Sequence, residues 1–294
     1  VETTISNTTK QNAIEISDIE KVEKWLTEYG VNYNSTRFGK SSKVYKKWSS
    51  DGQIPSFQEL WAITELLDFC ELYNSFSNSS EIEKHFITKI TKGADFLEDD
   101  NKNSARDFFF EAKVASRFKR AGFNVEINGE HDIISQNDII RLGIECKRPR
   151  SEKKVIELVK YAFEKQLSKL EDRSSQGIIC LDISRVLYGE YIEALNAGAF
   201  TLPFTSRELI QSYRDKTDTR FKDLLVDKCP EVIEGIRMFV IYYSLPMLLQ
   251  NKKEKGKVLF LKFAHFSHMS RRKDEVTRTI AKSLTNSVGK QFTS

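Results

Sequence analysis

The chain is poor in the features by which many functions announce themselves. Its 294 residues include only four cysteines, Cys70, Cys146, Cys180 and Cys229, widely spaced and without a CxxC pair. That pattern indicates neither a zinc knuckle nor a disulfide framework. The four read as reduced core thiols, which points to a cytoplasmic location. No run of about 18 apolar residues offers a membrane span, so no membrane partner is expected. The N-terminus lacks the basic-then-apolar pattern of a signal peptide, and the sequons at Asn7, Asn34 and Asn78 mean nothing without a secretory route. No Gly-x-Ser-x-Gly element supports nucleophilic hydrolase chemistry. Gly39-Lys40-Ser41 looks like the end of a P-loop, but Asn34 stands where that loop needs glycine, and no strongly apolar strand precedes it. His265 and His268 form an HxxH pair with no third ligand close by. Phe263 and Phe266 beside them suggest a strand end, so structural histidines are expected.

What is present begins with charge. Of 46 basic and 42 acidic residues, 11 and 14 lie in residues 1–95, a net of −3; the remainder, with 35 and 28, carries +7. The basic excess therefore accompanies the later part of the chain. Lysines and arginines that contact phosphates release counterions and give sequence-independent affinity for nucleic acid. Two clusters stand out, one containing Arg148, Arg150, Lys153 and Lys154, the other Arg271-Arg272-Lys273.

The first cluster follows the most informative segment, Arg141-Leu-Gly-Ile-Glu-Cys-Lys-Arg-Pro149. Its alternation predicts a strand with Leu142, Ile144 and Cys146 on a core face and Gly143, Glu145 and Lys147 on the other. Upstream, His131-Asp-Ile-Ile134 predicts a second strand, joined to the first by a hairpin connection at Ser135-Gln-Asn-Asp138. If the two pair, Asp132 lies beside Glu145 and Lys147. Asp138 is the competing acid, but Asn-Asp pairs favour turns by bonding their own backbone. Two carboxylates for a divalent cation and a lysine to steady or deprotonate a water are what phosphodiester hydrolysis requires.

These residues resemble the PD-(D/E)xK nuclease superfamily, with Asp132 as the first acid and Glu145-Cys-Lys147 as the second acid, spacer and lysine. The resemblance covers roughly residues 104–185 and departs from the pattern at His131, where the family often has proline. It implies an α/β, restriction-endonuclease-like fold: a mixed β-sheet flanked by helices over 104–294, preceded here by a mainly helical N-terminal lobe over 1–95. It also implies that Asp132 and Glu145 bind Mg²⁺, for which Mn²⁺ can substitute, with the backbone carbonyl of Cys146 as a further ligand. Lys147 would position or activate the attacking water. Glu111, on the preceding helix, would hold water or a second ion, and Gln166 matches a glutamine found in some branches. Nucleic acid is the expected partner, DNA ahead of RNA, and the family's breadth suggests restriction, repair or phage defence, alongside a helicase or another subunit. The alternative is a non-catalytic nucleic-acid-binding or assembly subunit that keeps the fold.

Helical spacing bears on both accessory residues. Over Ala105–Arg120, Phe108, Glu111, Ala115 and Phe118 form one stripe, where a glutamate is costly to bury unless it is paired, binds metal or reaches water at the stripe's margin. A helix from Glu152 to Leu170, with Ser151 as N-cap, buries Val155, Val159, Ala162, Phe163, Leu167 and Leu170 with Gln166 among them. Gln176–Ile183 then predicts a buried strand, parallel to its neighbour if that helix is the crossover. A helix capped by Thr205 and Glu208 and reaching Leu225, and a last strand over 257–263, complete a sheet of four or five strands. In the lobe, residues 1–13 are expected to lack order. Capping boxes at Ser17/Glu20, Ser56/Glu59 and Ser80/Glu83 open three helices, the first two reaching Tyr29 and Tyr73. Residues 49–52 are expected as a loop, and residues 98–103 as a polar connector.

Overall fold

The structure, a computed structural model, describes residues 2–5, 15–52, 55–78, 84–95, 105–127, 129–196, 207–250 and 258–287. Two compact units emerge: residues 12–116 form one, and residues 1–11 with 117–294 form the other. The division falls inside a helix. The connector at 98–103 lies outside the described residues, as does the Ser80/Glu83 box.

The first unit is helical: α1 (Ile16–Glu28), α2 (Arg37–Asp51), α3 (Phe57–Phe76), α4 (Lys84–Thr91) and α5 (Ala105–Arg120) up to Ser116. Ile19, Val22, Trp25 and Leu26 form the buried stripe of α1 as their spacing predicts. Its start differs from expectation, because Glu15 holds the N-cap position and Ser17 instead donates a 3.3 Å bond to the Glu15 carboxylate. The Ser56/Glu59 box does open α3, with both reciprocal bonds made, at 3.3 and 2.8 Å. Residues 49–51, expected as loop, are the last turn of α2, which ends at Gly52 in the left-handed region (φ 71°). The Gly39-Lys40-Ser41 run lies within α2. A Cβ at Gly39 would stand 2.2 Å from the Tyr33 carbonyl oxygen, so the glycine serves a close approach of backbone.

This unit buries charge in pairs. Arg37 donates to Glu65 (3.1 Å) and to the Ile90 carbonyl (2.7 Å), and its guanidinium lies 4.8 Å from the Phe109 ring centre. Lys113 and Asp68 form a second buried pair at 2.9 Å. Residues 109–118 of α5 are all buried, so the single stripe expected there is wrong. Glu111 is buried with them, at 8% exposure.

In the second unit, seven described strands form one mixed sheet in the order β1-β7-β6-β5-β4-β3-β2. They are β1 (Glu2–Ile5), β2 (Asn124–Ile127), β3 (Ile133–Gln136), β4 (Arg141–Lys147), β5 (Gly177–Asp182), β6 (Met238–Gln250) and β7 (Val258–Ser270). The parallel pairing of β4 and β5 matches expectation. Three strands were unforeseen: β1, β2 and β6. Residues 2–5, expected to lack order, pair with Ser267–Ser270 and so satisfy backbone groups that would otherwise line a sheet edge.

Connections between β4 and β6 run through α6 (Glu152–Tyr161), α7 (Arg173–Gln176), α8 (Ser184–Asn196), α9 (Arg207–Lys228) and α10 (Pro230–Gly235); α11 (Glu275–Asn286) follows β7. Ser151 caps α6, accepting from the Lys154 amide at 3.4 Å. The single helix expected over 152–170 is instead three pieces: α6, a π turn (Ala162–Gln166) and a 3-10 turn (Leu167–Lys169). Helix α9 runs past Leu225 to Lys228, and its Thr205 cap lies outside the described residues. No described helix is long and apolar enough to cross a membrane.

The sheet's two faces follow from register. Glu145 aligns with Ile179 and Lys147 with Leu181, and Ile179 and Leu181 align with Phe239 and Ile241. These apolar side chains form a core with Val155 and Val159 of α6 and Phe221 and Leu225 of α9. Glu145 and Lys147 thus share the face covered by α6 and α9, while Cys146, Cys180 and Tyr242 point the other way. All four cysteines are buried free thiols.

Candidate active site

The β3–β4 hairpin brings the three motif side chains together. Ile133 faces Ile144, so the next pair outward is Asp132 and Glu145. Regular pairing stops at Ile133, which places Asp132 in a bend just before β3, not inside a strand. Ser135 and Gln136, expected in the connection, extend β3. The turn is Asn137–Ile140, where the Asn137 side-chain oxygen accepts from the amides of Ile139 and Ile140, both at 3.0 Å. Asp138 is exposed on that turn.

The Lys147 ammonium is the hub. It donates to Asp132 Oδ2 at 2.9 Å, to Glu145 Oε2 at 3.1 Å and to the Cys146 carbonyl at 3.1 Å. Asp132 Oδ2 also accepts from the Cys146 amide at 2.8 Å. The Glu145 side chain is 1% exposed, Lys147 11% and Asp132 23%, so one end of the cluster meets solvent. Burial lowers the Lys147 pKa, but the charges of Asp132 and Glu145 and the Asp132 hydrogen bond outweigh it, leaving a net shift upward. Lys147 is therefore held as an ammonium.

The other predicted residues have different placements. Glu111 is buried in α5 and belongs to the helical unit, whereas Asp132, Glu145 and Lys147 belong to the sheet unit. Gln166 ends the π turn; its Oε1 is buried without a hydrogen bond, and none of the described triad bonds involves it. Arg148 donates to Asp182 at 3.0 Å in a pair 8% exposed on each side. Asp182 aligns with Tyr242, on the face opposite Lys147. Alternation along the chain thus carries Arg148 away from the site and makes it a structural partner. Arg150, Lys153 and Lys154 are exposed around the start of α6, and Lys154 pairs with Glu157. Arg271 bonds Glu234 at 2.6 Å.

His265 and His268 lie within β7, not at a strand end, and three positions apart they point to opposite faces. His265 bonds Asp218 at 2.8 Å, a structural histidine as expected.

One site residue was missed. The buried His131 Nδ1 lies 2.9 Å from Glu145 Oε1. The only signal in the sequence was its place beside Asp132, two residues from the β-branched run.

Could this set hold a metal? Among the described residues no group of three His, Cys, Asp or Glu side chains is arranged as ligands. The third oxygen at Lys147 is instead the backbone carbonyl of Cys146. Two carboxylates and a carbonyl already converge on one positive group, and hard oxygen donors suit Mg²⁺ or Mn²⁺. The residues fit such an ion, with the ammonium standing where positive charge is favoured. A comparison with protein-family models found no match, and comparisons with curated proteins and with solved structures found none either.

Proposed function

We propose that this chain is a metal-dependent nuclease that hydrolyses phosphodiester bonds, with DNA favoured over RNA. The observation that carries the reading is the convergence of Asp132 Oδ2, Glu145 Oε2 and the Cys146 carbonyl on a single cation, the Lys147 ammonium. The order of the motif residues along a mixed sheet supports the restriction-endonuclease-like arrangement that the PD-(D/E)xK resemblance implies.

Asp132, Glu145 and the Cys146 carbonyl would hold Mg²⁺; a share for Glu111 or Gln166 rests on the resemblance alone. A bound divalent ion supplies a Lewis acid for the scissile phosphate and lowers the pKa of a coordinated water. Asp132 and Glu145 hold Lys147 as an ammonium when no ion is bound; beside a bound ion it would position or activate the attacking water. Arg150, Lys153 and Lys154 would track the backbone beside the start of α6. Arg148 is left out of this set because Asp182 already holds it.

One observation favours a second reading. Both Glu145 oxygens are engaged and the side chain is almost fully buried, as in a closed structural ion cluster of a binding or assembly subunit without turnover. Incubating the protein with plasmid, linear duplex, single strands and RNA, in Mg²⁺, Mn²⁺ or EDTA, separates the two. Cleavage that needs the metal and disappears in Glu145→Ala supports the nuclease. Metal-independent binding without cleavage supports the subunit. Roles in restriction, repair or phage defence, with a helicase or other subunit, rest on the resemblance only.

A further inference from the structure

His131 occupies a slot built for it. A Cβ added at Gly143 would stand 2.8 Å from His131 Cδ2, 3.0 Å from its Nε2 and 2.9 Å from Leu170 Cδ2. The absent side chain at Gly143 is therefore the space in which the ring lies. The ring and the Glu145 carboxylate are each 1% exposed and meet at 2.9 Å. With Glu145 ionised, Nδ1 carries the proton and donates. The other ring nitrogen, Nε2, is buried with no hydrogen-bond partner.

Such an arrangement is expensive. A buried polar atom left unbonded is destabilising, and an aliphatic side chain would fill the same slot without that penalty. What the histidine adds is direction. Glutamate has three rotatable side-chain bonds, and one bond from Lys147 to Oε2 leaves the carboxylate plane free to turn. A second bond, from His131 to Oε1, fixes the plane and aims Oε2 at the point it shares with Asp132 Oδ2 and the Cys146 carbonyl.

We propose that His131 is the positioning residue of the candidate cation site: it orients Glu145 for metal binding, and Gly143 exists to admit its ring. The proposal rests on the nuclease reading above. Partners of this kind typically change metal affinity by about 10–100-fold when removed.

The test is Mn²⁺ titration of the full chain, alongside melting temperature and the separate kcat and KM of DNA cleavage. His131→Leu, which fills the slot without a donor, should weaken Mn²⁺ binding about tenfold or more and lower kcat at saturating DNA with little change in KM. His131→Asn places an amide donor near the Nδ1 position and should recover most of the loss. If His131→Leu does not fold, Gly143→Ala takes its place, because it presses on the ring while leaving the imidazole present. Wild-type Mn²⁺ affinity in His131→Leu, or in Gly143→Ala where that variant stands in, overturns the positioning role. Absence of Mn²⁺ binding by the wild-type protein overturns the nuclease reading and this role with it.

Discussion

Lys147→Ala should destabilise the metal-free protein, and divalent metal should restore part of the loss. The variant removes the cation at 2.9 Å from Asp132 and 3.1 Å from Glu145. It leaves two carboxylates sharing one small region, one of them 1% exposed. Breaking a buried ion pair by deleting one partner costs about 3–5 kcal/mol. Asp132 is 23% exposed and partly screened, so about 2–4 kcal/mol is the reasonable expectation. For a unit of this size each kcal/mol moves the melting temperature by about 2–4 °C, which gives a fall of roughly 5–15 °C without metal. An ion at about 100 times its dissociation constant stabilises by about 2.7 kcal/mol, enough to recover most of that fall. The assay is calorimetry of wild type and variant in EDTA and in Mg²⁺ or Mn²⁺, with cleavage followed in parallel. Restored stability with cleavage still lost would assign Lys147 to chemistry as well as to charge balance. Equal melting temperatures for variant and wild type, with neither responding to metal, would refute the argument that these oxygens form a cation site.

Further outcomes follow from the same geometry. Asp132→Asn should lose cleavage by orders of magnitude, while Asp138→Asn, on an exposed turn, should change stability by about 1 kcal/mol or less; the opposite ranking at matched melting temperatures would displace Asp132 from the site. Charge reversal at Arg150, Lys153 and Lys154 together should flatten the salt dependence of DNA affinity, whereas Arg148→Glu should chiefly lower the melting temperature, because it sets a carboxylate against Asp182; filter binding across a salt series, with calorimetry, distinguishes them. Burial pushes the Cys229 thiol up from 9.0 to about 11. A raised thiol pKa adds stability that is complete below pH 9 and is lost as pH climbs towards 11. Urea titrations across that window should therefore show a decline of at most about 2.7 kcal/mol, reduced by solvent screening, that is smaller in Cys229→Ala, and an identical decline in both would exclude this thiol as the cause.

The hairpin motif was legible in the sequence because its information is local. Period-two alternation places Glu145 and Lys147 on one face of β4, and a short turn can bring Asp132 opposite Glu145 whatever the rest of the chain does. The Ser56/Glu59 and Ser151 caps were legible for the same reason, since each closes within three residues. Elements without a local signature escaped. Helix α2 buries Arg37, Ser41 and Ser42 beside Phe38, and it shows no apolar stripe because its arginine is neutralised by Glu65, 28 residues away. Strand β6 is a nearly continuous apolar run with Pro246 inside it, a pattern that periodicity alone does not assign to strand or helix; pairing with both β5 and β7 decides it.

At the candidate site the sequence by itself determined which charged groups stand together, through strand alternation and hairpin reach. Only the tertiary structure decided what those groups do to one another. It gave Lys147 three oxygen partners, so that the carboxylates hold it as an ammonium. It turned Arg148 onto the opposite face, where Asp182 from a parallel neighbour engages it. It also packed His131 into the space left at Gly143, against Glu145. Charge, burial and hydrogen-bond geometry all depend on atoms from distant segments, and spacing along a chain carries no record of which distant atoms will arrive.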